Sequence, residues 1–263
     1  MEQTMERVRQ LRTAIVDVLA SIDDIKLQQN PRIEADYQVK IGCWEVQLLE
    51  AEIAARRAKR KYALAQAARN RGAQVDATGI EHQLDEEFAE WSFKLMDAVG
   101  KYNLAVAFRA GTTGLPAADA KELKHLHRVL VKRLHPDINP GIDAQGRHLF
   151  EMVQNGFENG DLELLRSLEV STRGYAADDG LEQMDEASLA IEAAAAEAQL
   201  TVLEGQLEEL RKSRPYCLAA LLSDPVWVRQ RRDEIVARIE EYKETMRLYN
   251  EHFEKLKEEG NAA

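Results

Sequence analysis

Leu123-Lys-His-Leu-His-Arg-Val-Leu-Val-Lys-Arg-Leu-His-Pro-Asp-Ile-Asn-Pro140 is the stretch from which the middle of the chain can be read. At about 100° per residue, helical geometry gathers Leu123, Leu126, Leu130 and Leu134 on one face. Lys121, Lys124, Arg128 and Lys132 line the opposite face, with His125 beside them. Counting Arg133, residues 121 to 134 hold five basic side chains against one acid, Glu122, a net +4 in a chain of net charge −11. A helix of this kind buries its leucines and shows a basic stripe, and opposed charge steers and orients an acidic partner. Pro136 has no amide hydrogen and disfavours helical geometry at His135, so the helix is expected to end there. Asn139-Pro140-Gly141 continues the turn, which would display His135 and Asp137 at a loop tip. A second helix is expected from near Ala144, with Phe150, Val153 and Phe157 at helical spacing and Gly156 allowing close approach to the preceding helix. Gly160-Asp161 then supplies a helix stop and an N-cap, and Leu162, Leu164, Leu165 and Leu168 mark a last short helix.

Outside this stretch the chain reads as long helices. Only six prolines and fourteen glycines occur in 263 residues, and alanine, leucine, glutamate and arginine, all good helix formers, fill long runs. Apolar residues recur at alternating three- and four-residue spacing in several segments, the pattern of packed or coiled helices. The first is Val8, Leu11, Ile15, Val18, Ile22 and Ile25, which Asn30-Pro31 is expected to interrupt. The second runs from Tyr37 through Trp44, Leu48 and Ala58 to Ala65 and ends near Gly72. The third runs Leu84, Phe88, Trp91, Leu95, Ala98, Tyr102 and Ala105. A short connection between the second and third predicts an antiparallel hairpin, with Trp44 and Trp91 as anchors between the helices. Beyond 180, Leu189, Ala193, Ala196, Leu200, Leu203, Leu207 and Leu210 keep a heptad. A break at Ser213-Arg-Pro215 follows, and Asp224-Pro225 opens a last helix carrying Val228, Ile235, Ile239, Tyr242, Tyr249 and Phe253 along its seam.

The predicted fold class is all-α, with long antiparallel coiled-coil-like helices flanking a small helical domain. Residues 1–110 are expected to form a long helical hairpin or bundle and 111–170 the small domain. Residues 171–180 read as a linker and 181–263 as an antiparallel coiled-coil hairpin. Pairing between chains through the same seams, as in a homodimer, is left open by the pattern.

Several function classes fit poorly. The acidic balance opposes a general nucleic-acid surface, which needs positive charge, and the cluster Arg56-Arg57-Ala-Lys59-Arg60-Lys61 is expected to pair with acids on a neighbouring helix. No apolar stretch approaches the roughly 18 residues that a membrane span requires. Cys43 and Cys217 form no metal or redox motif. With no leader-like amino terminus either, the expectation is a reduced, cytoplasmic protein. His125 and His127, two apart on a helix, cannot share a metal, and His148 with Glu151 reads as a surface pair. His135 and Asp137 lack a nucleophile or third member, so no enzyme activity, metal or cofactor is expected.

Leu123, Arg128, Leu130, His135-Pro136-Asp137, Asn139-Pro140, Phe150, Val153 and Phe157 resemble the pattern of J domains, the module of DnaJ-like co-chaperones. The resemblance covers roughly residues 112 to 168. It implies an antiparallel helix pair bracketing the tripeptide loop, and stimulation of ATP hydrolysis in a DnaK-type heat-shock chaperone. It further implies that His135, Pro136, Asp137 and Asn139 contact that ATPase. Lys121, Lys124, Arg128, Lys132 and Arg133 would then meet its acidic surface, and the coiled-coil arms would serve an unidentified protein client or partner. The chain departs from the family pattern at Ile138, where a lysine is common, and at His127, where a tyrosine is common. The family's opening helix is missing in front of Lys121, and Tyr102-Asn-Leu-Ala-Val-Ala-Phe108 is expected to stand in for it. The alternative is a coiled-coil structural or interaction protein whose J-like domain is degenerate.

Overall fold

The computed structural model describes residues 1–111, 115–175 and 181–261, the side chains of 259–261 excepted, and these residues contain helices and no strand. The helices are α1 (Glu2–Asp23), α2 (Asn30–Tyr37), α3 (Cys43–Asn70), α4 (Ala77–Glu87), α5 (Ala89–Gly111) and α6 (Ala117–Leu134). They continue with α7 (Ala144–Glu158), α8 (Leu162–Ser171), α9 (Glu186–Lys212), α10 (Ala219–Ser223) and α11 (Pro225–Asn261). The all-α fold class is therefore as expected, and long coiled-coil-like helices supply most of it.

The break expected at Asn30-Pro31 does not occur. Helical conformation runs without interruption from Glu2 to Asn70, because wide π turns at Asp24–Gln29 and Gln38–Gly42 join α1, α2 and α3. The Asn30 N–H donates to Ile25 O, five residues back. That wider register relieves the clash that Pro31 would make with the preceding turn of a regular α-helix. Pro136 has no such accommodation: His135 takes an extended ψ of 126° and α6 stops. The two glycine stops also behave as expected. Gly72 and Gly160 take φ of 70° and 67°, a region open to glycine at little cost. Each closes a Schellman motif, with Ala73 N–H bonded to Ala68 O and Asp161 N–H to Gly156 O. Of the expected linker 171–180, residues 171–175 complete α8 and a single 3₁₀ turn, whereas Ala176–Gly180 lie outside the described residues.

Packing divides the chain into two units that do not follow the expected consecutive segments. One holds Met1–Ile33 with Thr112–Ala219, the other Glu34–Gly111 with Ala220–Ala263. The heptad seams explain why. A seam specifies an apolar stripe and not its partner, and each long C-terminal helix lies along a helix from the amino-terminal part of the chain. In the first unit α9 lies along α1, burying Leu11, Ile15, Val16, Leu19, Ile22 and Ile25 with Ala196, Leu203 and Leu207. In the second unit α11 lies along α3 in the same direction: Glu45 meets Arg231 toward one end and Tyr62 meets Tyr249 toward the other. The hairpin expected of 181–263 alone is thus replaced by these two pairings. The hairpin between α3 and α4–α5 does form antiparallel: Lys61 pairs with Glu81, Arg57 with Asp85, and Arg56 lies over the Trp91 ring. Its core gathers Ala65, Ile80, Leu84, Phe88 and Phe253, with Trp91 packed against it. Arg57, Arg60 and Lys61 of the basic cluster are paired with acids of α4, whereas Arg56 pairs with Glu52 of its own helix.

The second core of the first unit is that of the small domain. Leu123, Leu130 and Leu134 of α6 pack with Val153 and Phe157 of α7 and with Leu162, Leu165 and Leu168 of α8. Gly156 makes close approach possible, but toward α8 and not toward α6. A β-carbon there would stand 2.6 Å from Leu165 Cδ1, a neighbour set by the sharp turn at Gly160.

Candidate functional site

The loop between α6 and α7 carries His135-Pro136-Asp137, and its geometry follows from the way α6 ends. His135 N–H still donates to Val131 O, after which Ile138 N–H and Asn139 N–H both return to His135 O at 3.1 and 2.9 Å. The Asn139 side-chain amide donates to Lys132 O at 3.1 Å and to His135 O at 3.3 Å. Asn139, expected to contact a partner, is therefore engaged in closing the carboxy-terminal end of α6, where unpaired carbonyls need donors.

His135 is half-buried and not displayed at the tip. Its ring meets Phe150 of α7 edge-on, with centroids 4.9 Å apart, and its Nδ1 accepts the Asp137 N–H at 3.1 Å. Burial pushes the imidazole pKa below its ordinary value, and the opposing pull of Asp137 and Asp23 is smaller. The neutral ring is the form that can accept from Asp137, so the tripeptide is held as a local ring–backbone clasp. The Asp137 carboxylate is exposed. Among the described residues no hydrogen bond links it to the imidazole, so the pair lacks the arrangement of a base with its orienting acid.

Beside the loop, Ile138 packs against the α1–α9 core. Asp137, Ile138 and Pro140 form one wall of a cleft of about 320 Å³ whose other walls include Arg12, Ile15 and Glu192. Arg12 and Glu192 are themselves paired at 2.7 Å. An apolar residue at 138 thus has an apolar neighbour.

The basic face of α6 is divided. Arg128 pairs with Asp17 of α1 at 2.5 Å, and Lys124 Nζ with Asp24 at 2.8 Å. Arg133 turns the other way, donating to the Glu169 carboxylate at 3.0 Å and to the Glu169 carbonyl at 2.8 Å. Lys121 and Lys132 are exposed and have no acidic partner among the described residues. The structure therefore leaves two of the five expected basic contacts unpaired, Lys132 at the Asp137 end of α6 and Lys121 near its opposite end.

What places acids over α6 is a second buried stripe that the leucine pattern conceals. His127 and Val131 are 1% and 0% exposed and face α1, whose end fits against them. His127 stacks on Phe157 at 3.8 Å between ring centroids, and its Nε2 lies 3.3 Å from Asp23 Oδ2, outside hydrogen-bonding geometry. Gln28, in the π turn after α1, donates to the carbonyls of Phe157 and Glu158, the latter at 3.0 Å. Within the first unit, α1 and its π turn pack on the α6–α7 pair. The signal for this was present in Asp17, Asp23 and Asp24. These acids interrupt or follow an otherwise apolar seam, and their roughly two-turn spacing lets them reach Arg128 and Lys124.

Among the described residues no group of three or more His, Cys, Asp or Glu side chains is placed to hold a metal ion. No helix among them is long and apolar enough to cross a membrane. No protein-family model, curated protein or solved structure matches the chain.

Proposed function

We propose that the α6–loop–α7 hairpin is a J-like docking element through which the protein recruits a DnaK-type heat-shock ATPase and stimulates its ATP hydrolysis. The observation that carries the reading is a helix pair whose connecting loop holds His135-Pro136-Asp137 in a fixed turn. In that turn the Asp137 carboxylate is exposed and Lys132 is exposed one helical turn earlier. Such a surface offers both signs of charge and a restrained loop, which suits orientation of a partner more than catalysis. On this reading the seams of the long helices serve a protein client, and the protein works beside its chaperone in the cytoplasm. The test is a steady-state ATPase titration with the resident DnaK-type protein. Stimulation that disappears in His135→Gln is expected, whereas no stimulation at any concentration would sink the co-chaperone reading. Stimulation that survives His135→Gln intact would detach the activity from the tripeptide.

A second reading is favoured by the ion pairs Asp17–Arg128 and Asp24–Lys124. They neutralise within the chain part of the face that would meet an acidic chaperone surface. On that reading the J-like hairpin is a structural part of a coiled-coil interaction protein. Binding of the DnaK-type ATPase measured with Asp17→Asn/Asp24→Asn separates the two: a partner uncovered by the change belongs to the first, and none in either form to the second.

A further inference from the structure

The second unit presents an apolar helix face that the antiparallel hairpin does not use. α5 packs inward through Trp91, Leu95, Ala98, Tyr102 and Ala105, of which only Ala105 is fully buried. On the opposite side, Phe93, Met96 and Leu104 are 70%, 69% and 73% exposed. With Ala89, Gly100, Ala107 and Gly111 they form a row spaced by four, three, four, four, three and four residues, a second seam on the same helix. An exposed contiguous row of this kind marks a protein-interaction surface.

We infer that this row is a self-association surface, on which α5 pairs antiparallel with α5 of a second copy of the chain about a twofold axis at Gly100. The order of residues carries the choice of occupant. Counted outward from Gly100, Met96 and Leu104 stand at equal distances on either side, then Phe93 and Ala107, then Ala89 and Gly111. A twofold axis there sets Met96 against the partner copy's leucine at the same register, and large Phe93 against small Ala107, so each copy supplies what the other needs. Charge agrees with the geometry. Asp97 and Lys101 flank the row on one side and are bonded to each other at 2.7 Å within the helix. In the antiparallel register Lys101 of each copy falls within one helical turn of Asp97 of the other, an opposed pair made twice.

Gly100 supplies an independent argument. Glycine inside a helix is unfavourable by about 1 kcal/mol relative to alanine. Yet a β-carbon at Gly100 would meet nothing within 4 Å among the described residues. Packing among the described residues therefore gives no reason for glycine there. Two helices crossing closely at that residue would.

Sedimentation equilibrium of the full chain over a wide concentration range tests the inference. The wild type is expected to show a monomer–dimer equilibrium. Leu104→Lys should abolish the dimer, and Gly100→Leu should weaken it about tenfold or more while leaving helicity by circular dichroism unchanged or raised. Asp97→Lys should weaken it through two like-charge pairs, and Asp97→Lys/Lys101→Asp should restore it. A wild type that stays monomeric at the highest concentrations overturns the inference. So does a dimer indifferent to Leu104→Lys, which would have formed elsewhere. A dimer lost in Leu104→Lys but unaffected by Gly100→Leu and by the charge reversals overturns the twofold register.

Discussion

At the scale of single residues, prolines and glycines were legible to different degrees. Pro136 ended its helix as its chemistry requires, whereas Pro31 did not, because a π register that no local pattern announces absorbed it. Gly160 was legible because only a left-handed residue completes the turn into α8. Gly160→Ala should lower stability by about 1–2 kcal/mol, read as a shift of the denaturation midpoint of the first unit; no shift would mean the turn is not held at positive φ. His135 carries a pH signature. Its folded pKa lies below the unfolded value of about 6.5, so the unfolded chain binds the extra proton first. The contribution to stability is complete above that value and is lost as pH falls from it toward the folded pKa. The clasp from Asp137 N–H fails in the same window, since a protonated Nδ1 cannot accept. Unfolding midpoints measured between about pH 8 and pH 5 should fall more steeply for the wild type than for His135→Gln. Parallel curves would show that the ring is solvated like an ordinary histidine.

At the scale of elements, α6 shows what a helical wheel can and cannot disclose. The leucine stripe and its burial were readable, because amphipathic spacing fixes which side of a helix meets a core. The lateral stripe of His127 and Val131 was not, because one histidine and one valine among charges do not reveal a third neighbour. That neighbour determines the use of the basic face. Asp17–Arg128 is about half exposed at both ends, and such pairs contribute at most about 1 kcal/mol. Asp17→Asn/Asp24→Asn should therefore leave the fold intact by circular dichroism while raising the net positive charge presented by α6. If the co-chaperone proposal holds, the variant should need less protein for half-maximal ATPase stimulation, with an effect that shrinks as salt is added. An unchanged or weakened response would show that these acids do not compete with the partner.

At the scale of the whole molecule, the pairing of seams decided what adjacency in the chain could not. Ile15 is 3% exposed in a core that also includes Val131 and Leu203, so helices from three distant parts of the sequence depend on one another. Ile15→Ala should cost about 2–4 kcal/mol and should speed hydrogen exchange at α6 amides such as that of Val131. Unchanged exchange there would mean that α1 is not part of the core holding the small domain. The sequence by itself determined the helical class, the ends of α3, α6, α7 and α9, the leucine core of α6–α8 and the turn at His135-Pro136-Asp137. These follow from local periodicity, caps and proline chemistry. Only the tertiary structure decided that α9 lies along α1 and α11 along α3, that aspartates of α1 and its π turn cover part of the basic face, and that one side of α5 is exposed among the described residues. A heptad records that a stripe must be buried, and an apolar stripe is satisfied equally by any complementary stripe. The choice among partners therefore rests with the packing of the chain as a whole.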